Sequence, residues 1–395
     1  MSKWFKGVSL GMLSLLIAAV IWLPALHLFF RGDFARYFSE EGIGQKTDLL
    51  AQRQIRVWTD PDLRDHEIRK MRGTNAEWDF MARTFLCWSL ANMALRNPTG
   101  QRTYIEVIDR ILDETLRIEQ EEGHFYFLMD YALGRDFTVK PNRSLFVDGE
   151  IALIMAMRRM VEEKPIYVAP MRERIEVILS RMEQSPVLSA ESYPSECWMF
   201  CNTAALAAIK MGDVLDGTDH SEFLSRWVRM AKEKLVHKKT GLLVSSYDPD
   251  GRIFDGPEGS SIWMASHCLQ IVDPGFAREQ YELARKELGV SLLGFGYARE
   301  WPRTWENRMD VDSGPVVPLL EASAGSSGLA FLGAATFRDR DFLKGLVSSL
   351  NFAGFPIEKK DSLKYCASNQ VGDAVLLYSM TMGPIWKKVL EKGQP

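Results

Sequence analysis

The segment CWMFCNTAALAAIKMGDVL at residues 197–215, followed by SEFLSRWVRMAKEKLV at residues 221–236, decides the fold. The first segment is apolar nearly all round and rich in small residues, which is typical of a helix buried on every side. The second segment carries charges on one face, which is typical of a helix on the outside of a domain. The pair therefore predicts an inner helix followed by an outer helix.

The same pairing recurs along the chain after about residue 70, where strand signals are scarce. The other inner and outer segments are 77–96 with 101–122, 148–163 with 171–184, 259–272 with 276–288, 326–338 with 340–350, and 369–380 with 385–392. Six inner helices ringed by six outer helices predict an all-α domain, the (α/α)6 barrel or toroid, over residues 71–395.

The N-terminal segment is not globular in character. Residues 8–30 carry no formal charge, and at about 1.5 Å per residue they are long enough to cross a hydrocarbon layer of roughly 30 Å. A cleaved signal peptide is the alternative, since Lys3 and Lys6 precede the apolar run. The run is longer than a usual signal core and continues as LPALHLFF where small residues would mark cleavage, which favours an uncleaved anchor.

This interpretation divides the chain into a flank (1–7), a single transmembrane helix (8–30), a charge-rich stalk or lid (31–70) and the barrel (71–395). Basic residues flank both ends of the apolar run in nearly equal number, so charge bias gives only a weak orientation. We expect a single-pass membrane protein whose barrel lies on the extracytoplasmic side.

Composition and motifs narrow the function classes. A net charge of −4 without a basic, aromatic-interleaved stripe argues against a nucleic-acid partner. The chain carries neither glycine-rich phosphate loops nor an HExxH motif, and its five cysteines form no CxxC pair. We therefore expect neither a metal nor a cofactor. A homo-oligomer remains compatible with the sequence.

Candidate site residues follow from the predicted barrel, because the N-termini of its inner helices converge on one funnel. Polar, thiol and aromatic residues near these termini are Asp148, Glu150, Glu196, Cys197, Trp198, Cys201, Asn202, Tyr247, Asp255, Ser260, Trp263, Trp305 and Asp312. Several have an ordinary explanation: Asp148 and Ser260 suit helix caps, and either cysteine suits a buried, inert thiol. Glu150 lies in the first turn of an apolar helix, where a desolvated carboxyl group would serve as a general acid or base.

The segment from about 145 to 290 resembles the linalool dehydratase/isomerase family, bacterial (α/α)6 enzymes that act on monoterpene alcohols without a cofactor. The matching runs are DGEIALIMAMRRMV, YPSECWMFCNTAALAAI, LDGTDHSEFLSRW and TGLLVSSYDPDGRIFDGPEGSSIWMASHCLQIVDPGFAREQY. The resemblance implies that Cys201 stands at the position of a catalytic-site cysteine, and that Ser192 replaces the family's other cysteine, nine residues earlier.

Other family positions are altered as well. The resemblance implies that Glu150 replaces an acid/base histidine and that Ser260 replaces a substrate-contacting tyrosine. An acidic residue of the family's N-terminal region has only Asp60 or Asp62 as candidates. A related funnel with different proton-transferring groups is therefore implied.

Two enzymatic functions and one non-enzymatic function remain open. The first is a membrane-anchored lyase or isomerase, of dehydratase or hydratase type, that acts on an apolar alcohol, with terpenoid alcohols among the candidates. In this function Glu150 would protonate the leaving hydroxyl, and Cys201, assisted by Glu196, would help to remove a proton. The second is a carbohydrate-active enzyme, a glycosidase, epimerase or polysaccharide lyase, that pairs Glu150 with Asp255 or Asp312. The third is a binding module that keeps only the ring. An apolar wall favours the first function, a groove with two carboxylates the second, and a plugged funnel the third.

Overall fold

The computed structural model describes residues 3–306 and 313–392 of the chain. The helices in these residues are α1 (Lys3–Leu26), α2 (Gln45–Thr59), α3 (Pro61–Arg72), α4 (Ala76–Arg96), α5 (Gln101–Glu122), α6 (Leu145–Val161), α7 (Val168–Glu183), α8 (Met199–Asp216), α9 (Ser221–Lys234), α10 (Gly259–Leu269), α11 (Pro274–Glu287), α12 (Ala324–Thr336), α13 (Arg340–Ala353), α14 (Gln370–Thr381) and α15 (Pro384–Lys392).

Short strands occupy the connections that lead into the inner helices. They are β1 (Cys197–Trp198), β2 (Ser246–Tyr247), β3 (Ile253–Asp255), β4 (Gly289–Leu292), β5 (Phe295–Ala298), β6 (Val316–Val317), β7 (Ala322–Ser323), β8 (Pro356–Lys359) and β9 (Ser362–Tyr365). The first three form an antiparallel sheet in the order β1-β2-β3, and the others form the hairpins β4–β5, β6–β7 and β8–β9. All of them lie at the end of the barrel where the inner helices begin.

The inner ring consists of α4, α6, α8, α10, α12 and α14. Each of these helices packs against the next, and α14 closes the ring on α4. Their sequences explain this position, since every residue of α6 from Leu145 to Met160 is buried. The predicted (α/α)6 barrel is confirmed.

Polar side chains start several of the inner helices. Asn75, Ser144, Ser323 and Asn369 accept hydrogen bonds from backbone N–H groups in the first turns of α4, α6, α12 and α14. These caps satisfy donors that a helix start leaves unpaired. The barrel can therefore present its helix N-termini at an open end, which we call the mouth.

The opposite end, the base, is crossed by α15. The indole Nε1 of Trp386 donates to the carbonyl of His267 at 3.0 Å, the backbone N–H of Ile385 donates to the Asn92 side chain at 3.1 Å, and the Lys388 amine donates to the carbonyl of Met160. The sequence assigned this helix to the outside of the sixth pair. The structure instead ties it to the ends of α4, α6 and α10.

The sixth outer position is taken by α2, which packs on α14 and also touches α5. Thr47, Leu50 and Trp58 of α2 are buried. Most of the segment that we assigned to a stalk or lid, residues 31–70, thus folds as helices, and α2 belongs to the barrel wall. The apolar face of α2 explains this placement, since it covers the part of α14 that α15 leaves open.

Helix α1 projects from the domain, and nearly all of its side chains are exposed. It is long and apolar enough to cross a membrane, a property that signal sequences share. Its last turn meets the barrel at the mouth. The ring of His27 lies 6.3 Å from that of Phe295, and the ring of Phe30 lies 5.0 Å from that of Phe352.

Candidate functional site

A cavity of about 2160 Å³ opens at the mouth, and all six inner helices contribute to its wall. Most of the wall is apolar, with Phe146, Phe200 and Met81 among its side chains. Below it, the rings of Phe85 and Trp88 pack at 4.8 Å and those of Trp88 and Tyr378 at 5.6 Å, all fully buried. Aromatic packing and α15 therefore close the barrel beneath a large apolar cavity.

One polar cluster interrupts this wall near the start of α4. The hydroxyl of Tyr193 donates to the Glu77 carboxylate and accepts from the backbone N–H of Met129 at 2.9 Å. Its ring stacks on Tyr131, with centroids 4.9 Å apart. Burial and the Glu77 charge both raise the pKa of Tyr193, so the phenol keeps its proton and holds Glu77 in place. Both Glu77 and Tyr193 line the cavity.

Cys201 lies beside this cluster, in the first turn of α8, and its side chain lines the cavity. Burial raises the pKa of the Cys201 thiol well above its ordinary value. The charges of Glu150 and Glu77 act in the same direction, while the neighbouring Ser192 hydroxyl opposes them. Cys201 is therefore a protonated thiol that faces the cavity, with Ser192 buried next to it.

Glu150 projects from α6, which packs against α8, and it is fully buried and does not line the cavity. Burial raises the pKa of Glu150 to about 8, the Glu77 charge adds to this effect, and the Thr84 hydroxyl opposes it. Among the described residues, neither carboxyl oxygen of Glu150 lies in an oriented hydrogen bond, because the nearby Thr84 hydroxyl donates to the carbonyl of Met81 at 3.0 Å. Glu150 is thus a protonated acid at neutral pH, with unused hydrogen-bonding capacity next to the thiol.

Gly149 brings this acid close to α8. A side-chain carbon at Gly149 would lie 3.2 Å from the Cβ atom of Ala205, which is tighter than an ordinary contact. The glycine and alanine let α6 and α8 approach closely, so Glu150 is held against the helix that carries Cys201.

A second polar cluster lies on the wall formed by β3 and the start of α10. Burial raises the pKa of Asp255, and hydrogen bonds from Gly256, Glu258 and Trp305 oppose the effect. Asp255, Glu258 and Ser260 all line the cavity. This wall therefore holds two neighbouring carboxyl groups.

Ser260, the serine of this cluster, is hydrogen bonded within the protein. Its backbone N–H and its hydroxyl both donate to the carboxylate of buried Glu300, at 3.0 and 2.5 Å, and Ser323 donates to the other oxygen of the same carboxylate. Ser260 therefore anchors the start of α10 to Glu300 while lining the cavity.

The small sheet connects the two clusters. Trp198 on β1 pairs with Ser246 on β2, and Ser246 pairs with Asp255 on β3. Two strand spacings place Trp198 and Asp255 about 10 Å apart, and Cys201 follows Trp198 by one helical turn. The cavity thus presents two proton-active regions across one apolar space.

Glu196 lies closer to the solvent. It accepts a hydrogen bond from the Tyr131 hydroxyl at 3.1 Å and forms an ion pair with Arg135 at 3.6 Å. We expected Glu196 to assist Cys201. The carboxylates whose charges act on the thiol are instead Glu150 and Glu77, which both project from inner helices, whereas Glu196 precedes the β1 strand.

A family model described as linalool dehydratase/isomerase matches residues 149–365, more than half of the chain. The chain belongs to the linalool dehydratase/isomerase family. The resemblance over residues 145–290 is therefore confirmed, and the match extends it beyond α13. Glu150, Ser192, Cys201, Asp255 and Ser260 lie inside the matched range, whereas Glu77 precedes it.

Solved structures share the fold at low identity. The α-1,6-mannanase GH76A from Salegentibacter sp. HEL1_6 is 10% identical with a TM-score of 0.54, over 85% of this chain and 98% of that chain. The unsaturated glucuronyl hydrolase from Bacillus sp. GL1 is 10% identical with a TM-score of 0.52, over 85% and 95%. No curated protein sequence matches the chain at a significant level. At this identity the likeness concerns the barrel alone.

Several predicted substrate contacts are buried away from the cavity of this family member. Cys197 is fully buried, the Asn202 amide clamps Ala190 at 3.0 and 3.1 Å, and Tyr247 bonds to Ser189 at 2.9 Å. These side chains stabilise the connection that leads into α8. They support the site without lining it.

The two tryptophans also have structural contacts. The indole Nε1 of Trp263 donates to Ser326 at 3.1 Å, between α10 and α12. Trp305 packs over Gly256, where a side-chain carbon would lie only 2.3 Å from its ring. Trp198, in contrast, lines the cavity as predicted, and Asp312 lies outside the described residues.

Asp60 and Asp62 lie on the outside of the barrel, and His267 lies in its base. Asp60 and Asp62 are exposed at the start of α3, so neither reaches the cavity. Both ring nitrogens of His267 are hydrogen bonded, to Thr336 at 2.7 Å and Tyr378 at 2.8 Å, and burial lowers its pKa to about 3. Among the described residues, no group of three or more His, Cys, Asp or Glu side chains is placed to hold a metal ion.

Asp148 points away from the cavity into an ion-pair network. Its carboxylate accepts hydrogen bonds from Arg143 and Arg174, and Glu119 pairs with the same two arginines. Burial alone would raise the pKa of Asp148, but the Arg143 hydrogen bond and the charges of Arg174 and Arg143 outweigh it and lower the pKa. The carboxylate therefore joins α6 to the outer helices.

Replacing Asp148 by Asn is expected to destabilise the fold at pH 7 by about 3–5 kcal/mol, because two arginines lose their buried counter-charge. A native pKa below the unfolded value stabilises the protein above the unfolded pKa, and this stabilisation is lost as the pH falls through the native pKa. The difference between Asp148→Asn and wild type should therefore shrink in acid. Urea unfolding from pH 7 to pH 3 measures it, with exposed Asp341→Asn as the control. A difference independent of pH would contradict the network's role.

Proposed function

We propose that this protein is a membrane-anchored, cofactor-independent lyase or isomerase that removes or relocates the hydroxyl group of an apolar alcohol. One observation carries the proposal: a mainly apolar cavity holds the Cys201 thiol on its wall, with protonated Glu150 behind it and Glu77 beside it. Family membership supports the same kind of reaction. Helix α1 supports the anchor, and we place the barrel on the extracytoplasmic side.

The reaction requires one acid and one base. The substrate oxygen takes up a proton, the C–O bond breaks, and water leaves a carbocation. A neighbouring C–H bond then gives its electron pair to a new C=C bond, and the released proton goes to the base. When water adds instead at another carbon of an allylic cation, the protonated alcohol that forms gives its extra proton to the base, and the product is an isomeric alcohol.

The residues suit these steps in a particular order. Cys201 touches the substrate hydroxyl and passes it the thiol proton while Glu150 reprotonates the sulfur. Glu77, held by Tyr193, accepts the proton from carbon. Proton exchange with water then restores Glu150 and Glu77. In this assignment Cys201 is the proton donor with Glu150 as its partner, and Glu77 takes the role of base that we expected of Cys201 with Glu196.

A carbohydrate-active enzyme is the second candidate, and one observation favours it. Asp255 and Glu258 place two carboxyl groups on the cavity wall, the type of side chain that acid/base chemistry on a glycosidic bond uses. The apolar character of the remaining wall favours the alcohol, because sugar hydroxyl groups would lie there without hydrogen-bond partners.

Product analysis separates the two candidates. The full-length protein in detergent should convert at least one member of a series of C10, C15 and C20 isoprenoid alcohols into an alkene or an isomeric alcohol, detected by gas chromatography with mass spectrometry. Parallel incubations contain an α-mannan and an unsaturated glucuronide. Release of sugar without any alkene or isomer would overturn the proposal, and Glu77→Gln serves as the low-activity control.

A further inference from the structure

The mouth of the cavity is surrounded by apolar side chains that are both part of its wall and open to solvent. We call this set the rim: Ile253, Leu292, Leu293, Val317, Leu320 and Phe352, each 39–50% exposed. They come from β3, the β4–β5 hairpin, the β6–β7 hairpin and the end of α13. A contiguous apolar surface of this kind on a folded domain marks a contact with an apolar partner.

Backbone conformation at the rim points in the same direction. Leu293, Leu319 and Phe355 have φ angles of 48°, 70° and 48°, in the left-handed region. Turns with this conformation ordinarily carry Gly, Asn or Asp, since a bulky side chain is strained there. Leu319 is also fully exposed. Three tips of the mouth thus hold large apolar side chains outward in positions where a water-facing protein uses small or polar residues.

The apolar helix ends at this rim. Leu23 and Leu26 of α1 line the mouth, and Phe30 packs on Phe352 with ring centroids 5.0 Å apart. If α1 spans a bilayer, its end lies at the boundary between acyl chains and headgroups, so the rim lies at that boundary too. Lys359 and Lys360 are exposed at the turn of the β8–β9 hairpin, where they would meet lipid phosphates.

We propose that the mouth of the barrel docks onto the lipid bilayer that holds α1, with the rim and Leu319 inserted among the acyl chains. The cavity then opens to lipid, and its ligands enter from the membrane. The docking rests on the rim and on α1; only the entry of an alcohol by this route rests on the proposed function.

The test uses the full-length chain in phosphatidylcholine vesicles. Exposed Cys366 is replaced by Ser, and a bimane fluorophore is attached through Leu319→Cys or, as a matched control, through Arg102→Cys. Arg102 is exposed at the start of α5, at the base end of the barrel. Lipids with a doxyl quencher high on the acyl chain report contact with the bilayer, and iodide reports contact with water.

Docking predicts that doxyl lipid quenches the label at position 319 at least about threefold more strongly than the label at 102, since docked side chains lie roughly 5–10 Å into the interface. Iodide should quench the label at 102 and spare the one at 319. Strong iodide quenching at both positions, with little doxyl quenching at either, would overturn the docking. Neither readout depends on catalysis, so this outcome is distinct from failure of the proposed reaction.

Discussion

Replacing Cys201 by Ala is expected to lower kcat/KM on an apolar alcohol by about a hundredfold or more, the range of a lost general acid–base group. The thiol lies on the cavity wall and the Glu150 charge acts on it, whereas Glu150 itself is fully buried and does not line the cavity. Removing the sulfur interrupts proton transfer but takes only a small side chain from the wall. We therefore expect kcat to fall more than KM rises, measured by product formation under saturating and limiting substrate.

Cys197→Ala provides the matched control. Cys197 lies four residues earlier and is fully buried, and its side chain does not line the cavity. Its loss should change thermal stability and leave kcat within a few-fold of wild type. Equal activity losses in both variants, or a Cys201→Ala enzyme that retains full kcat, would remove the thiol from the mechanism.

Replacing Glu150 by Gln is expected to stabilise the fold at neutral pH while abolishing activity. The pKa of Glu150 is raised from 4.5 to about 8 in the native protein. The stabilisation linked to this proton is complete below the unfolded pKa and is lost as the pH rises through the native pKa. Wild type therefore weakens between about pH 4.5 and 8 relative to the Glu150→Gln variant, whose amide has no proton to lose, by on the order of 3 kcal/mol at pH 7.

Thermal or urea unfolding at several pH values measures this effect. The two proteins should differ least near pH 4.5, and the advantage of Glu150→Gln should grow towards pH 8. Glu196→Gln, at the solvent-facing mouth, serves as the control variant. A Glu150→Gln variant that is equally active, or whose stability runs parallel to wild type across the range, would contradict the buried protonated acid.

The inner ring was predictable because burial on all sides leaves a direct mark on composition. Segments such as α6 and α8 lack a polar face, so only the centre of a helical domain suits them. The outer positions were less determined. Both α2 and α15 have one apolar face, and amphipathicity shows that a helix packs against something without showing which neighbour it covers. Adjacency in the chain favoured α15, whereas packing placed α2 in the wall and α15 across the base.

The sequence predicted only part of the candidate site, because the position of a residue near a helix start does not show which way its side chain points. A position near the start of an inner helix identified Glu150 and Cys201 as candidates. Asp148 has the same kind of position, although it lies only two residues from Glu150 on the same helix. Two residues rotate a helix by about 200°, so only one of these carboxyl groups can face the barrel axis. Glu77 has the same sequence feature, since it is an acidic residue in the first turn of α4, which follows the Asn75 cap. That feature alone did not distinguish Glu77 from the charged residues that precede α4. Its role depends on Tyr193, which is distant in sequence.

Because α15 crosses the base, the barrel is closed at one end and its cavity opens at the mouth. In the proposed reaction, water released beside Cys201 leaves the cavity through the mouth, past a mainly apolar wall. Until it leaves, the water molecule stays next to the carbocation, and the apolar wall offers that water few other hydrogen-bond partners. In that reaction we expect such confinement to favour recapture of the same water molecule, and so to favour moving the hydroxyl group along the carbon skeleton over losing it.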